Sequence, residues 1–292
     1  MTSHWPCSRH QGLPAQPRQA EGLCGRFELS FGRYGARTHV GRQFVSYPFH
    51  MTRPFALDAV IPSLLTVYQQ SSSGGLYRAE QLTSRYEVGA RAAVHVTTQA
   101  ATVVHDCHDQ AARQATDIAL EERAFLALTP DPLVLFPGAS CSSTIQARLA
   151  PGAVLFLSDA FGCHDPEGRF RPFDRLGADV VIRDAAGRLL VRDSFEVSGA
   201  QLSGPASPIG AWRAASNFML LGDRARLPTA EALASLDRTP SVILGRTVLA
   251  NGAGWGVRCL CADAIAARVI SESLFGLAVE AAFGKQPVPR RK

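Results

Sequence analysis

Short apolar segments separated by Gly and Pro dominate residues 60–200, and they are rich in Val, Leu, Thr and Phe. This composition is typical of β-strands bounded by turns. Three stretches share the order strand end, tight turn, small residue, apolar strand: residues 87–96, 120–128 and 149–157. The small residues in them are Ala92, Ala124 and Ala153. Their spacing of about thirty residues predicts a mainly β fold, with sheets stacked in a solenoid-like (β-helix-like) arrangement rather than a closed barrel.

Helical patterns are confined to the last third of the chain and predict two helices, near residues 228–237 and 263–283. Thr229 and Asp263 are suitable N-caps, and Gly284 is a suitable stop for the second helix. The apolar stripe predicted for this helix consists of Ile265, Val269, Ile270, Leu274, Leu277 and Ala281. Between the helices, residues 251–254 predict a hairpin turn that joins strands 242–249 and 255–261. The chain is mainly β with helices only near its end, which disfavours a doubly wound α/β fold.

The length of 292 residues and the 46% hydrophobic content suit one large domain or two modest ones. We predict a single domain over residues 26–292, preceded by a poorly ordered extension over residues 1–25. That extension has no apolar segment of the kind found in a secretory signal, and no run of 18 apolar residues predicts a membrane span. A cytoplasmic location is therefore expected.

The net charge of +5 comes almost wholly from arginine, since lysine occurs only at Lys285 and Lys292. The arginines are scattered beside acidic residues, which favours protein interfaces over nucleic-acid binding.

The seven cysteines are an odd number, and none is in C-x-x-C spacing. We therefore expect reduced thiols, with Cys259 and Cys261 as small buried residues.

The segment His105-Asp-Cys-His108 places metal-ligand types within four residues. In an extended strand, His105 and Cys107 would share one face while His108 pointed away, so the three could not converge without a turn. A lone cluster of this kind is more often a polar loop, and a metal site is the alternative interpretation. We predict that this segment binds no metal tightly. We also predict that the His95 side chain is either hydrogen-bonded or exposed. No Gly-x-Ser-x-Gly motif is present to begin a hydrolase triad.

Two aspartates interrupt apolar rows. Strand alternation places Asp159 on one face with Leu155 and Leu157, and it places Asp193 on one face with Val191 and Phe195. An unpaired charge inside such a row would be costly. Each carboxylate therefore needs either an internal Arg–Asp bridge or a water-filled interior passage lined by acids.

Five segments of the chain form a recognisable set: residues 47–55, 64–78, 95–105, 130–138 and 158–166. The most specific pair of motifs is Val-Thr-Thr-Gln-Ala-Ala-Thr at 96–102 with Leu-Val-Leu-Phe-Pro-Gly at 133–138. In order and spacing, these segments closely resemble the UreD/UreH family of urease accessory proteins. The resemblance extends from about Gly35 to the C-terminus.

The resemblance implies a mainly β nickel-insertion scaffold and not an enzyme. It implies docking to the urease apoprotein and to UreF-type and UreG-type accessory proteins, with Ni(II) in transit through an interior channel and no tightly bound cofactor. The channel positions correspond to Glu80, Asp159 and Asp193. Glu80 follows Ala79 where relatives more often have Gly-Asp, which moves the charge by one methylene. The alternative is a metal-dependent enzyme built on Glu80, His105, Asp159 and Asp193.

Overall fold

The computed structural model describes residues 22–205 and 207–289, and these residues form a mainly β protein. The strands are β1 (Cys24–Tyr34), β2 (Arg37–Val45), β3 (Phe49–Met51), β4 (Leu64–Ser71), β5 (Gln81–Val88), β6 (Ala93–Thr97), β7 (Thr102–Val104), β8 (Ala112–Leu120), β9 (Phe125–Thr129), β10 (Leu133–Leu135), β11 (Ser140–Leu149), β12 (Val154–Cys163), β13 (Arg175–Asp184), β14 (Leu189–Val197), β15 (Ala214–Gly222), β16 (Val242–Val248) and β17 (Gly254–Cys261). The α-helices are α1 (Ala230–Ala234) and α2 (Ala264–Phe283), and short 3₁₀ helices are Arg224–Arg226, Ser235–Arg238 and Ala250–Gly252.

The strands form two stacked sheets with a solenoid-like course of the chain, as the sequence predicted. One sheet has the order β14-β13-β11-β8-β5-β1-β2, and the main path of the other is β16-β17-β15-β12-β9-β6-β4-β3. The central strands of both sheets pair in parallel, and antiparallel strands lie towards the edges. On a third side, the short strand β7 pairs with β10, which in turn pairs with the end of β12. Each coil therefore runs through one sheet, crosses the third side and returns in the other sheet.

The three similar turns predicted from the sequence occupy equivalent corners of successive coils. In each, the amide of the alanine donates to the carbonyl three residues earlier, at 3.0–3.1 Å. The residue before the alanine has a positive φ in every case: Arg91, Arg123 and Gly152. Ala92 and Ala124 are fully buried, and their carbonyls accept hydrogen bonds from the next coil at 2.9 Å. A small residue is needed because the coils approach closely at this corner.

Helix α2 has the predicted ends, but its predicted apolar stripe is partly wrong. The Asp263 carboxylate accepts a hydrogen bond from the Ala266 amide at 2.8 Å, and Gly284 follows the last turn. Ile265 and Val269 are exposed. The buried residues are Ala266, Ala267, Ile270, Leu274, Phe275, Ala278 and Val279. The alanines among them let the helix lie close against the sheet.

The remaining fold predictions have different outcomes. The hairpin between β16 and β17 is confirmed, with Asn251 in its turn, and Thr229 caps α1 by accepting from the Ala232 amide.

Most of the predicted extension, residues 1–21, lies outside the described residues, whereas Cys24 and Gly25 already belong to β1. No helix within the described ranges 22–205 and 207–289 is long and apolar enough to cross a membrane.

Candidate functional site

Asp159 and Asp193 face each other across the space between the two sheets. β12 carries Asp159 on the same face as Leu155 and Leu157, whose side chains are buried in the core between the sheets. β14 belongs to the opposite sheet and carries Asp193 on the same face as Val191, which is buried in the same core. The alternation predicted for both strands therefore brings two carboxylates together from sequence positions 34 residues apart.

The two carboxylates have different partners. Asp193 accepts a hydrogen bond from Asn217 Nδ2 at 3.0 Å and pairs with the Arg258 guanidinium at 2.7 Å. Asn217 lies directly opposite Asp159 in the β12–β15 ladder. Within the described part of the chain, no ion pair includes Asp159. An Arg–Asp bridge is therefore present at Asp193, but it is not internal, because the Arg258 side chain is mostly exposed.

The pKa of Asp159 is raised to about 6 from the ordinary value of 3.8. Burial is the larger cause, because it disfavours the charged form, and the negative charge of Asp193 adds to it. A carboxylate that is buried beside a second carboxylate is stabilised by a cation, which compensates both charges at once. The electrostatics at Asp159 thus favour a compensating positive charge.

Asp159 lines two cavities. The larger, about 650 Å³, lies between the sheets and is bordered by polar side chains that include Gln69, Ser84, Gln114 and Thr116. The second, about 390 Å³, is bordered by Phe161, Phe195, Asn217 and Arg258. Asp159 therefore lies where a polar interior space meets a more apolar one near the β14 edge.

Glu80, the third predicted channel residue, lies apart from this pair. Like Asp193, it is not among the residues that border either cavity. Its side chain is buried and accepts a hydrogen bond from the Tyr77 amide at 3.1 Å. Burial raises the pKa of Glu80, whereas the Tyr77 hydrogen bond and the nearby His105 oppose this shift. The structure thus brings together two of the three predicted carboxylates.

The side chains of His105, Cys107 and His108 diverge. The His105 ring stacks on Tyr77 at 4.4 Å, and its Nε2 is 3.1 Å from the Gly74 carbonyl oxygen. Cys107 is buried in the core, and its thiol donates to the His105 carbonyl. His108 is exposed and has a positive φ of 48°. Among the described residues, no group of three or more His, Cys, Asp and Glu side chains could hold a metal ion.

The other candidate groups have structural partners. His95 is fully buried under α2, with Nε2 2.7 Å from Thr129 Oγ1, so the hydrogen-bonded reading is confirmed.

Cys259 and Cys261 are buried as predicted. Burial raises the pKa of the Cys259 and Cys141 thiols to about 12 and that of Cys163 to about 11. These thiols are therefore protonated at neutral pH and are poor metal ligands.

Sequence reasoning missed Asn217 and Arg258. Both lie on C-terminal strands whose pairing with the solenoid depends on the fold: β15 joins β12, and β17 joins β15. Arg258 is 65 residues from its partner Asp193. The local signal is the polar Asn217 within the mostly apolar strand β15. Such a residue needs a buried partner, but the sequence does not identify that partner.

The fold and the site together define a β-solenoid protein with an acidic pair in its interior. The model of the family described as UreD urease accessory protein matches residues 23–292. Urease accessory protein UreD 1 of Methylorubrum populi is 42% identical over 288 residues, covering 96% of this chain and 98% of that protein. The corresponding protein of Methylorubrum extorquens is 41% identical over 289 residues with the same coverage, and that of Bradyrhizobium sp. strain BTAi1 is 38% identical over 273 residues, covering 94% and 96%. The chain therefore belongs to the UreD family, and it is a urease accessory protein.

Proposed function

We propose that this protein is a non-catalytic scaffold for maturation of the urease nickel centre. It docks the urease apoprotein to UreF-type and UreG-type accessory proteins in the cytoplasm, and it passes Ni(II) through its acidic interior. The observation that carries the proposal is the position of Asp159, which borders both cavities and faces Asp193.

The chemistry of the pair suits transit better than storage. Nickel binds tightly to sites with imidazole or thiolate ligands, whereas carboxylate and amide oxygens form weaker sites. Asp159, Asp193 and Asn217 supply oxygen ligands, and Arg258 competes with a cation for Asp193. An ion at this position would therefore be held weakly enough to leave.

The metal-dependent enzyme remains the alternative function. It requires Glu80, His105, Asp159 and Asp193 to act on one substrate. Glu80 and His105 lie together beside Tyr77, whereas Asp159 and Asp193 lie between the sheets. Two separate pairs do not favour a single reaction centre, so the scaffold is the better-supported function.

The test combines assembly with nickel delivery, in cells that express the urease operon. Tagged wild-type protein should co-purify with urease subunits and with the helical UreF-type partner. Asp193→Ala should retain both partners and lower urease activation by about tenfold, because a unit charge is removed beside the ion. Its folding cost should be small, since the Arg258 side chain is 68% exposed and can be hydrated.

Glu196→Ala is the matched control. Glu196 lies three residues further along β14, is exposed and pairs with Arg175 on the outer face. This variant should activate urease like the wild type. If Asp193→Ala lost its partners as well as nickel delivery, the carboxylate would be an assembly residue and the transit role would be refuted.

A second prediction concerns metal removal. We expect the isolated protein to retain no stoichiometric nickel or zinc after dialysis, and we expect an unchanged Tm in the presence of a chelator. A structural metal site would contribute folding free energy that chelation removes. Metal analysis and thermal unfolding measure both quantities. Bound metal that a Cys107→Ser/His108→Ala variant loses would contradict the prediction and support the enzyme.

A further inference from the structure

Residues 71–76, which we call the Gly-Gly loop, lie between the interior cavity and solvent. All six border the 650 Å³ cavity. Ser71, Ser72 and Gly74 are exposed to solvent, whereas Gly75 and Leu76 are buried. The loop therefore forms part of the cavity wall, and its position determines whether the interior is closed on this side.

The end of the loop is bound to the third side of the solenoid. The Leu76 amide donates to the Val103 carbonyl at 2.7 Å, and the His105 amide donates to the Leu76 carbonyl at 2.9 Å. Gly75 has a φ of +143°, and a Cβ there would lie 2.3 Å from the Val103 oxygen and 3.1 Å from the His105 ring. The backbone thus runs directly against His105, in a conformation that glycine allows.

Two side chains hold the loop from the side that faces away from the cavity. His105 Nε2 is within hydrogen-bond distance of the Gly74 carbonyl, at 3.1 Å, and the His105 ring stacks on Tyr77. The Glu80 carboxylate accepts from the Tyr77 amide, and the Glu80 amide donates back to the Tyr77 carbonyl at 3.2 Å. The Glu80 carbonyl accepts from the Arg113 amide at 2.8 Å, which anchors the turn to β8.

We propose that Glu80 and His105 are positioning residues that hold the Gly-Gly loop over the interior cavity, and that Glu80 acts through the loop rather than as a ligand of the transported ion. This inference rests on the proposed function. It accounts for a buried carboxylate that borders neither cavity yet contacts the backbone immediately after the loop. Removing the Glu80 side chain leaves the Tyr77 amide without its acceptor, so the backbone after the loop should loosen.

The two roles of Glu80 predict different results for Glu80→Gln. Glutamine retains an oxygen that can accept from the Tyr77 amide, but it has no charge with which to bind a cation. If Glu80 positions the loop, Glu80→Gln should keep urease activation within about twofold of wild type, whereas Glu80→Ala and His105→Ala should lower it more strongly. If Glu80 is an ion ligand, glutamine and alanine should be equally harmful.

The experiment measures amide hydrogen exchange of residues 72–77 in the full isolated chain, and urease activation in cells, for the same variants. Exchange in Glu80→Ala should be faster by about tenfold, and Glu80→Gln should stay close to wild type. Glu122→Ala, at an exposed corner turn, is the control and should change neither quantity. Unchanged exchange in Glu80→Ala would overturn the proposal. The proposal would also be overturned if urease activation did not decrease in the variants in which residues 72–77 exchange faster.

The outcomes separate this inference from the proposed function. Loop protection is measured in the chain alone, so it reports the positioning role even if nickel follows another route. Normal activation in Asp193→Ala would refute interior transit without changing the exchange result. Loss of activation in Glu80→Gln with a fully protected loop would refute the positioning role and leave interior transit intact.

Discussion

Replacing Asp159 by asparagine is expected to stabilise the protein at pH 7.5 and to impair delivery of nickel to urease. The folded protein raises the pKa of Asp159 to about 6, from 3.8, through burial and through the charge of Asp193. Folding at neutral pH therefore has to bury a charge that asparagine lacks. A pKa shift of one unit corresponds to 1.36 kcal/mol. The shift at Asp159 therefore limits the gain in the free energy of unfolding of Asp159→Asn to roughly 3 kcal/mol.

The pH dependence of this gain has a defined sign. Because the pKa is raised in the folded state, the protonated carboxyl favours folding fully below about pH 4, and this contribution is lost as the pH rises through about 6. The advantage of Asp159→Asn should thus be largest above pH 6 and smaller at pH 5. Urea unfolding at pH 5 and 7.5 measures it. An Asp159→Asn protein that is less stable than wild type at pH 7.5 would show that the folded protein stabilises the Asp159 charge, which contradicts the prediction.

Urease activation by the same variant tests the functional half of the prediction. Removing one of the two charges should lower activation while the partners still co-purify. A more stable protein that works less well would show that the charge is kept for function at a cost in stability, a known pattern at functional sites. The exposed Glu196→Gln, on the outer face of β14, should alter neither stability nor activation.

A large loss of stability is expected for Ile270→Ala in α2. Ile270 is fully buried in the core between α2 and the sheet. Removing three carbon atoms from such a site costs the transfer free energy and leaves a cavity, together about 2–5 kcal/mol. Thermal and urea unfolding of the isolated variant measure the loss.

Ile265→Ala is the matched control because it deletes the same atoms from the same helix. Ile265 is 68% exposed, so its replacement should change the free energy of unfolding by no more than about 0.5 kcal/mol. Equal losses in the two variants would mean that the helix packs with the orientation predicted from its apolar stripe. The N-cap does not enter this comparison, since Asp263 is unchanged in both variants.

The helix shows why some features could be predicted and others could not. Its ends depend on local signals, Asp263 and Gly284, which the sequence displays directly. Its orientation depends on which side chains fit against a sheet whose strands lie far away in the sequence. Ile265 and Val269 were predicted to be buried because their side chains are large and apolar. The close contact with the sheet is instead made by residues such as Ala267 and Ala278.

The candidate site also has features that the sequence could predict and features that it could not. The period-two alternation of β12 and β14 placed Asp159 and Asp193 on interior faces from sequence alone, because the apolar neighbours of each are on the same face. The partner of Asp193 could not be predicted, since Arg258 approaches through β17 at the far end of the chain. The turn that separates Cys107 from His108 contains neither Gly nor Pro, and its only local signal was the presence of Asp106 and Asp109, of which Asp106 accepts from the His108 amide.

The buried, protonated thiols have a consequence for metal selectivity. Zinc and copper(I) compete with nickel chiefly through thiolates, which bind them far more tightly than carboxylates do. Cys141 lies near both Cys107 and Asp159, and burial together with these two neighbours raises the pKa of its thiol to about 12. Cys141, like Cys259, therefore presents a protonated thiol rather than a thiolate at neutral pH. Along the proposed nickel route, thiophilic metals would therefore meet no thiolate at Cys141 or Cys259, and alkylating reagents, which also need a thiolate, should react slowly with these two thiols.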